Sequence, residues 1–255
     1  MYKSEWSAIG MIITKGYMDI GYFPTVLSRC FMNYCMFGSV TDEELIESLK
    51  KYVSPDECAL ISNILSSDST VDLDDNEDLQ DFLDVFKCWT LVNKDNIHAV
   101  LCEISRQELI QKPHIMASCW KDAFMELKNE FCDSKAVGQL YAKMEPTTKR
   151  VISMLQANPL KEAEKESLAY LKRYIKGLQM IELKKLLRFM TGADLIIVDK
   201  IEVTFNSNIS EFERRPIAHT CAPMLELPAA YNNFCELREK LYNILSESTW
   251  EMNII

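Results

Sequence analysis

Leu186-Leu187-Arg188-Phe189-Met190-Thr191-Gly192-Ala193-Asp194-Leu195-Ile196-Ile197-Val198-Asp199-Lys200-Ile201-Glu202-Val203-Thr204-Phe205 is the stretch in which this chain changes texture. Before Gly192, Leu183, Leu186, Leu187 and Met190 recur at helical spacing. After it, Leu195–Val198 and Ile201–Phe205 are rich in β-branched residues, and the second run alternates, so both read as strands. Ile217–Cys221 and Met224–Leu227, each beside a proline, predict two more strands. A helix from near Asn233 follows, with Asn233 and Glu236 as its cap and Phe234, Leu237, Leu241, Ile244 and Leu245 as its buried stripe. Helix, strands and helix in close succession argue for a small α+β lobe.

Upstream, the residues read as helices joined by short turns. Thr25–Met36 is apolar nearly all round, which predicts a helix buried on several faces and ended by Gly38. Thr41 with Glu44, and Ser54 with Glu57, have capping-box spacing, and Pro55 takes the first helical position of the second. Ile97–Ile110 and Met116–Phe131 predict further helices, separated at Lys112-Pro113. From Val151 the helical pattern runs to Asn158-Pro159, where a charged restart at Lys161–Glu166 marks a hinge. The fold class is therefore α+β: a mainly helical lobe over residues 1–160 and an α+β lobe over 161–255, joined at that hinge.

Composition narrows the functional classes. Acidic residues outnumber basic ones 38 to 28, a formal net charge of −10. That balance disfavours partners bound by neutralising phosphates, so neither nucleic acid nor an anionic membrane surface is expected. The acidic run from Asp68 to Asp84, interleaved with Leu79, Phe82, Leu83 and Phe86, reads as a solvated loop entering a helix whose N-terminus favours carboxylates. A docking face for a basic partner is its sharper reading. No signal-peptide core and no membrane-spanning apolar stretch is present, and nine cysteines without a regular framework suit reduced thiols. A cytoplasmic or nuclear location is the expectation. No C-x-x-C pair occurs, so neither a metal nor a cofactor is expected, and His98 and His114 read as ordinary surface or capping residues.

Three ordered blocks then carry a resemblance: Leu186–Asp194 with its Phe-x-Thr-Gly turn, Arg215-Pro216-Ile217-Ala218-His219-Thr220-Cys221, and Leu225-Glu226-Leu227-Pro228 with Tyr231. Together they resemble the C-terminal lobe of HECT ubiquitin ligases, in which an Ala-x-Thr-Cys segment carries the catalytic thiol. Ala8–Ile12 and Phe37–Thr41 resemble, more weakly, parts of the family's N-terminal lobe. Ala222-Pro223 stands where the family often has Phe-Asn, and Trp250 is the candidate for the aromatic that many members place near their end. An opening segment of the N-terminal lobe is expected to be missing, with the region that receives the conjugating enzyme shortened.

The resemblance implies an acyl transfer through a thioester. A ubiquitin-conjugating enzyme (E2) passes ubiquitin to Cys221, and a substrate lysine then takes it, so ubiquitin, an E2 and a protein substrate are the implied partners. Exchange of one thioester for another needs an accessible, well-placed thiolate more than a dedicated base. Cys221 suits that role on a short connection between Pro216 and Pro223. His219, on the same face of an extended segment, either lowers the thiol pKa or only shapes the loop. Thr220 is a hydrogen-bonding candidate or a strand-forming filler. Glu226, where the family often has aspartate, either orients and deprotonates the attacking lysine or faces outward. Two rivals stand beside this reading. A HECT-like interaction module without activity keeps the lobe and loses the transfer; a cysteine protease needs a histidine and a third orienting group, and the chain has only three histidines.

Overall fold

A computed structural model describes residues 2–66, 73, 75–207 and 214–246. It resolves two compact units, residues 1–142 and 143–255.

The first unit is helical: α1 (Lys3–Ile20), α2 (Arg29–Phe37), α3 (Asp42–Tyr52), α4 (Pro55–Ile64), α5 (Glu77–Val85), α6 (Ile97–Arg106), α7 (His114–Ala123), α8 (Met125–Glu130) and α9 (Ser134–Met144). Both capping boxes form, with Thr41 and Ser54 accepting from the N–H groups of Glu44 and Glu57. Gly38 ends α2 in the left-handed conformation. Every residue from Cys30 to Met36 except Tyr34 is buried, as an all-round apolar helix requires. Asn33 survives there because its amide donates to Glu44 Oε1 at 2.9 Å. After α6 the chain widens into a π-helical turn, Gln107–Gln111, before Pro113 opens α7. One core joins Leu45, Leu49, Ile61, Leu79, Phe82, Leu101 and Ile104. Phe31, Phe124 and Trp120 pack as an aromatic group, and Trp120 Nε1–H donates to the Trp6 carbonyl at 2.8 Å. The acidic run lies partly outside the described residues, Asp68, Asp72 and Asp74 among them; its remainder opens α5, where Asn76 caps the Leu79 N–H.

The second unit contains α10 (Thr148–Met154), β1 (Leu155–Ala157), α11 (Glu162–Lys176), α12 (Met180–Thr191), β2 (Ile201–Asn206), β3 (Ile217–His219), β4 (Met224–Pro228) and α13 (Phe234–Ser246). Its sheet runs in the order β1-β2-β4-β3, with β2 parallel to both β1 and β4 and β3 antiparallel to β4. The fold is α+β. Leu225 and Leu227 of β4, with Ile201 and Val203 of β2, face a core built from Leu171, Ile175, Leu183, Leu186, Leu187, Leu237 and Leu241 on α11, α12 and α13. The opposite face therefore carries Glu202, Thr204 and Asn206 of β2, Ile217 and His219 of β3, and Met224 and Glu226 of β4.

Two expectations need correction. Leu195–Val198 is not a strand; Leu195 and Ile196 are buried, and the Ile196 N–H donates to the Met144 carbonyl at 2.9 Å instead of joining a ladder. The helix expected to run to Asn158 stops at Met154, because Leu155–Ala157 pairs with Ile201–Val203. That pairing ties Leu155–Ala157 to the sheet of the second unit. The two compact units divide at 142/143, and the segment read as a hinge is the connection between β1 and α11, where the Leu160 and Lys161 N–H groups bond Glu164.

Because Leu225 of β4 is fully enclosed, Leu225→Ala is expected to destabilise the second unit by ~2–5 kcal/mol. Denaturant unfolding followed by circular dichroism measures this, with a lowered midpoint expected.

Candidate functional site

β3 and β4 form a hairpin whose connection is Thr220-Cys221-Ala222-Pro223. The loop is fixed at its far end, where the Pro223 carbonyl accepts from the Glu202 N–H of β2 at 2.9 Å. Cys221 is exposed on it. Of the other eight cysteines, only Cys132 and Cys235 are also exposed, whereas Cys30, Cys35 and Cys102 are buried. Burial pushes the Cys35 thiol up to about 12, which keeps it protonated and unreactive near neutral pH.

Thr220 stands half-buried on the loop and packs towards Gly192, the left-handed residue that ends α12. An added Cβ on Gly192 would lie 3.5 Å from the Thr220 Cβ. The Thr-Gly turn and the Thr-Cys loop, some thirty residues apart in the chain, are thus neighbours in space. Thr191 fixes the turn: its hydroxyl lies 2.8 Å from the Leu187 carbonyl and accepts the Ala193 N–H at 3.3 Å. The space at Gly192 is adequate for a methyl group, but its φ of +81° is not favourable for one. Gly192→Ala is expected to cost roughly 1–2 kcal/mol, with Gly192→Asn costing less, as read from thermal unfolding.

Glu226 lies one strand position inside the hairpin. Its Oε1 accepts a short hydrogen bond from the Asn206 Nδ2, and its Oε2 lies 3.8 Å from His219 Nε2. His219 and Glu226 are diagonal neighbours across β3 and β4, since His219 pairs with Met224 and Ile217 pairs with Glu226. The carboxylate is therefore held on both sides, by an amide from β2 and an imidazole from β3. Such an arrangement restricts Glu226 to a few orientations on the same sheet face as His219. The sequence reading placed His219 beside Cys221; the strand register places it over Glu226.

All four candidate residues, Cys221, Thr220, His219 and Glu226, sit on this one hairpin or its loop. Asn206 was missed, because it lies twenty residues from Glu226 and reaches it only through the parallel pairing of β2 with β4. Trp250 lies outside the described residues. His98 belongs to the first unit, on α6, where its Nδ1 is 3.7 Å from Cys102 Sγ; His114 opens α7. Tyr231, the last residue of the block that begins with Leu225, is buried, and its hydroxyl has no hydrogen-bond partner among the described residues. Burial raises its pKa well above the ordinary phenol range. No helix among the described residues is long and apolar enough to cross a membrane.

Comparison with known families agrees with this arrangement. No curated protein matches the chain. The profile of the HECT-domain (ubiquitin-transferase) family matches residues 125–254, just over half of the sequence, including every strand and the hairpin that presents Cys221. On that match, this chain belongs to the HECT-domain family of ubiquitin transferases.

Proposed function

We propose that the chain accepts ubiquitin from an E2 as a thioester on Cys221 and passes it to a lysine of a protein substrate. The observation that carries this is the exposed Cys221 thiol on a loop tied to the sheet at Pro223, within the part of the chain that matches the family. In the first step the Cys221 thiolate attacks the E2 thioester carbonyl, the new C–S bond replaces the old one, and the E2 leaves as its own thiolate. The exchange is close to isoenergetic, so position and access decide its rate.

In the second step the amine of a substrate lysine attacks, Cys221 departs as thiolate, and the amine must lose a proton. Glu226, held by Asn206, is the group we assign to orient that amine and take its proton, and His219 lies beside it. Thr220 holds the loop against the Gly192 turn. A cytoplasmic or nuclear setting suits a reaction that needs a reduced thiol.

A second reading, a HECT-like interaction module without transfer, is favoured by one observation: the family match begins at residue 125, after most of the first unit. Incubation with a panel of ubiquitin-charged E2 enzymes separates the two. Transfer predicts a ubiquitin adduct on a non-reducing gel that thiol reductant removes. A folded chain that forms no such adduct with any E2, yet binds ubiquitin or an E2, is the module.

A further inference from the structure

In the first unit, away from the Cys221 hairpin in sequence, three potential metal ligands of different chemistry converge. Asp42 is the first residue of α3, and His98 and Cys102 lie four apart on α6, so the last two share a helix face. One ligand atom from each of the three lies within 4.8 Å of the other two. Cys102 Sγ is 3.7 Å from His98 Nδ1. Sulfur at ~2.3 Å and nitrogen at ~2.0 Å from one tetrahedral zinc would stand roughly 3.5 Å apart, close to that separation.

The framework is already set. Ser105, one turn beyond Cys102, donates its hydroxyl to the Leu45 carbonyl at 2.8 Å, and Cys102 Sγ lies 3.9 Å from the Asp42 carbonyl. Two contacts of equal chain offset, 42 with 102 and 45 with 105, hold the start of α3 against α6. Cys102 is buried, while Asp42 and His98 reach the surface, which leaves an entry path.

We propose that Asp42, His98 and Cys102 form a binding site for a borderline-soft divalent cation of the zinc type, with its fourth position open to water. The donor set decides the metal class: a thiolate and an imidazole select zinc over magnesium or calcium, which take oxygen ligands. Binding replaces the Cys102 S–H bond with a metal–sulfur bond and releases that proton to solvent. The free thiol is held up to about 11, first by burial and then by Asp42, with Glu43 adding to the rise and Arg106 opposing it. Asp42, Glu43 and Glu44 in the first turn of α3 supply negative charge where the helix terminus would otherwise repel a cation. The site is independent of the transfer reaction assigned to Cys221, and its role would be to fasten α3 to α6.

The test uses the reduced, chelator-treated full chain titrated with Co2+. A thiolate-to-cobalt charge-transfer band is expected, displaced by Zn2+, lost in Cys102→Ser and weakened at least ~10-fold in affinity in His98→Gln and Asp42→Asn. Cys132→Ser, on the exposed cysteine nearest in sequence, should leave the band unchanged. Circular dichroism establishes that each variant is folded; should Cys102→Ser fail to fold, the His98 and Asp42 variants decide. Absence of the band in the wild-type chain, or a band that the folded variants retain at full affinity, overturns the proposal.

Discussion

Cys221→Ala is expected to abolish transfer of ubiquitin to lysine, together with the reductant-sensitive adduct that precedes it. The sulfur is the acyl carrier in both steps, so its loss removes the covalent route rather than slowing it. Cys235→Ala, at the start of α13, should behave as wild type although its thiol is equally open to solvent. The serine variant separates carriage from environment. Cys221→Ser keeps an oxygen nucleophile in the same loop and should, if it accepts ubiquitin at all, hold it as an ester that thiol reductants do not cleave. Each outcome is read on parallel reducing and non-reducing gels with the same charged E2. Loss of the adduct in Cys235→Ala but not in Cys221→Ala would move the reaction to the wrong residue.

Glu226→Gln should divide the two steps. The carboxamide retains the size of the side chain and can still meet Asn206, but it cannot take a proton from an attacking amine. Formation of the Cys221 adduct is expected to continue near the wild-type rate, while discharge to lysine falls ~100-fold, at the lower end of what positioned proton transfer contributes. Asn206→Ala should slow discharge by less, because it frees Glu226 without removing it. Single-turnover chases, in which a preformed adduct meets free lysine or substrate, give the second rate alone. Equal slowing of both steps would indicate that Glu226 only shapes the hairpin.

Much of the local architecture was legible because its causes are local. Thr41, Ser54 and Asn233 cap helices through their own side chains, and Gly38 and Gly192 accept positive φ where the helices end. The failures share a different cause. Leu155-Gln156-Ala157 contains nothing that prefers a strand; it becomes one because β2 lies alongside it, forty-six residues later in the ladder. Leu195–Val198 has strong strand propensity but pairs with no strand among the described residues, and Leu195 and Ile196 are buried in the core instead. The break at Asn158-Pro159 is a real break in the helical pattern, but a break in local pattern does not reveal which sheet the preceding residues join.

The same division applies to the candidate site. Cys221 could be selected among nine cysteines because Thr220, the Thr-Gly turn and the Leu225–Pro228 block stand in a fixed order around it. The spatial closeness of Thr220 to Gly192 gives that order a physical basis. Asn206 and the pairing of His219 with Glu226 arise from strand register, which no single segment encodes. In the first unit, the i,i+4 spacing of His98 and Cys102 was visible in the sequence, but Asp42 joins them only through helix packing.

The most direct measurement is mass-spectrometric mapping of the ubiquitin-charged chain after digestion at acid pH without reductant. A ubiquitin remnant in thioester linkage to the peptide that contains Cys221 is the predicted result. A remnant carried instead on the peptides of Cys132 or Cys235, or a folded chain that no E2 charges at any cysteine, would contradict it.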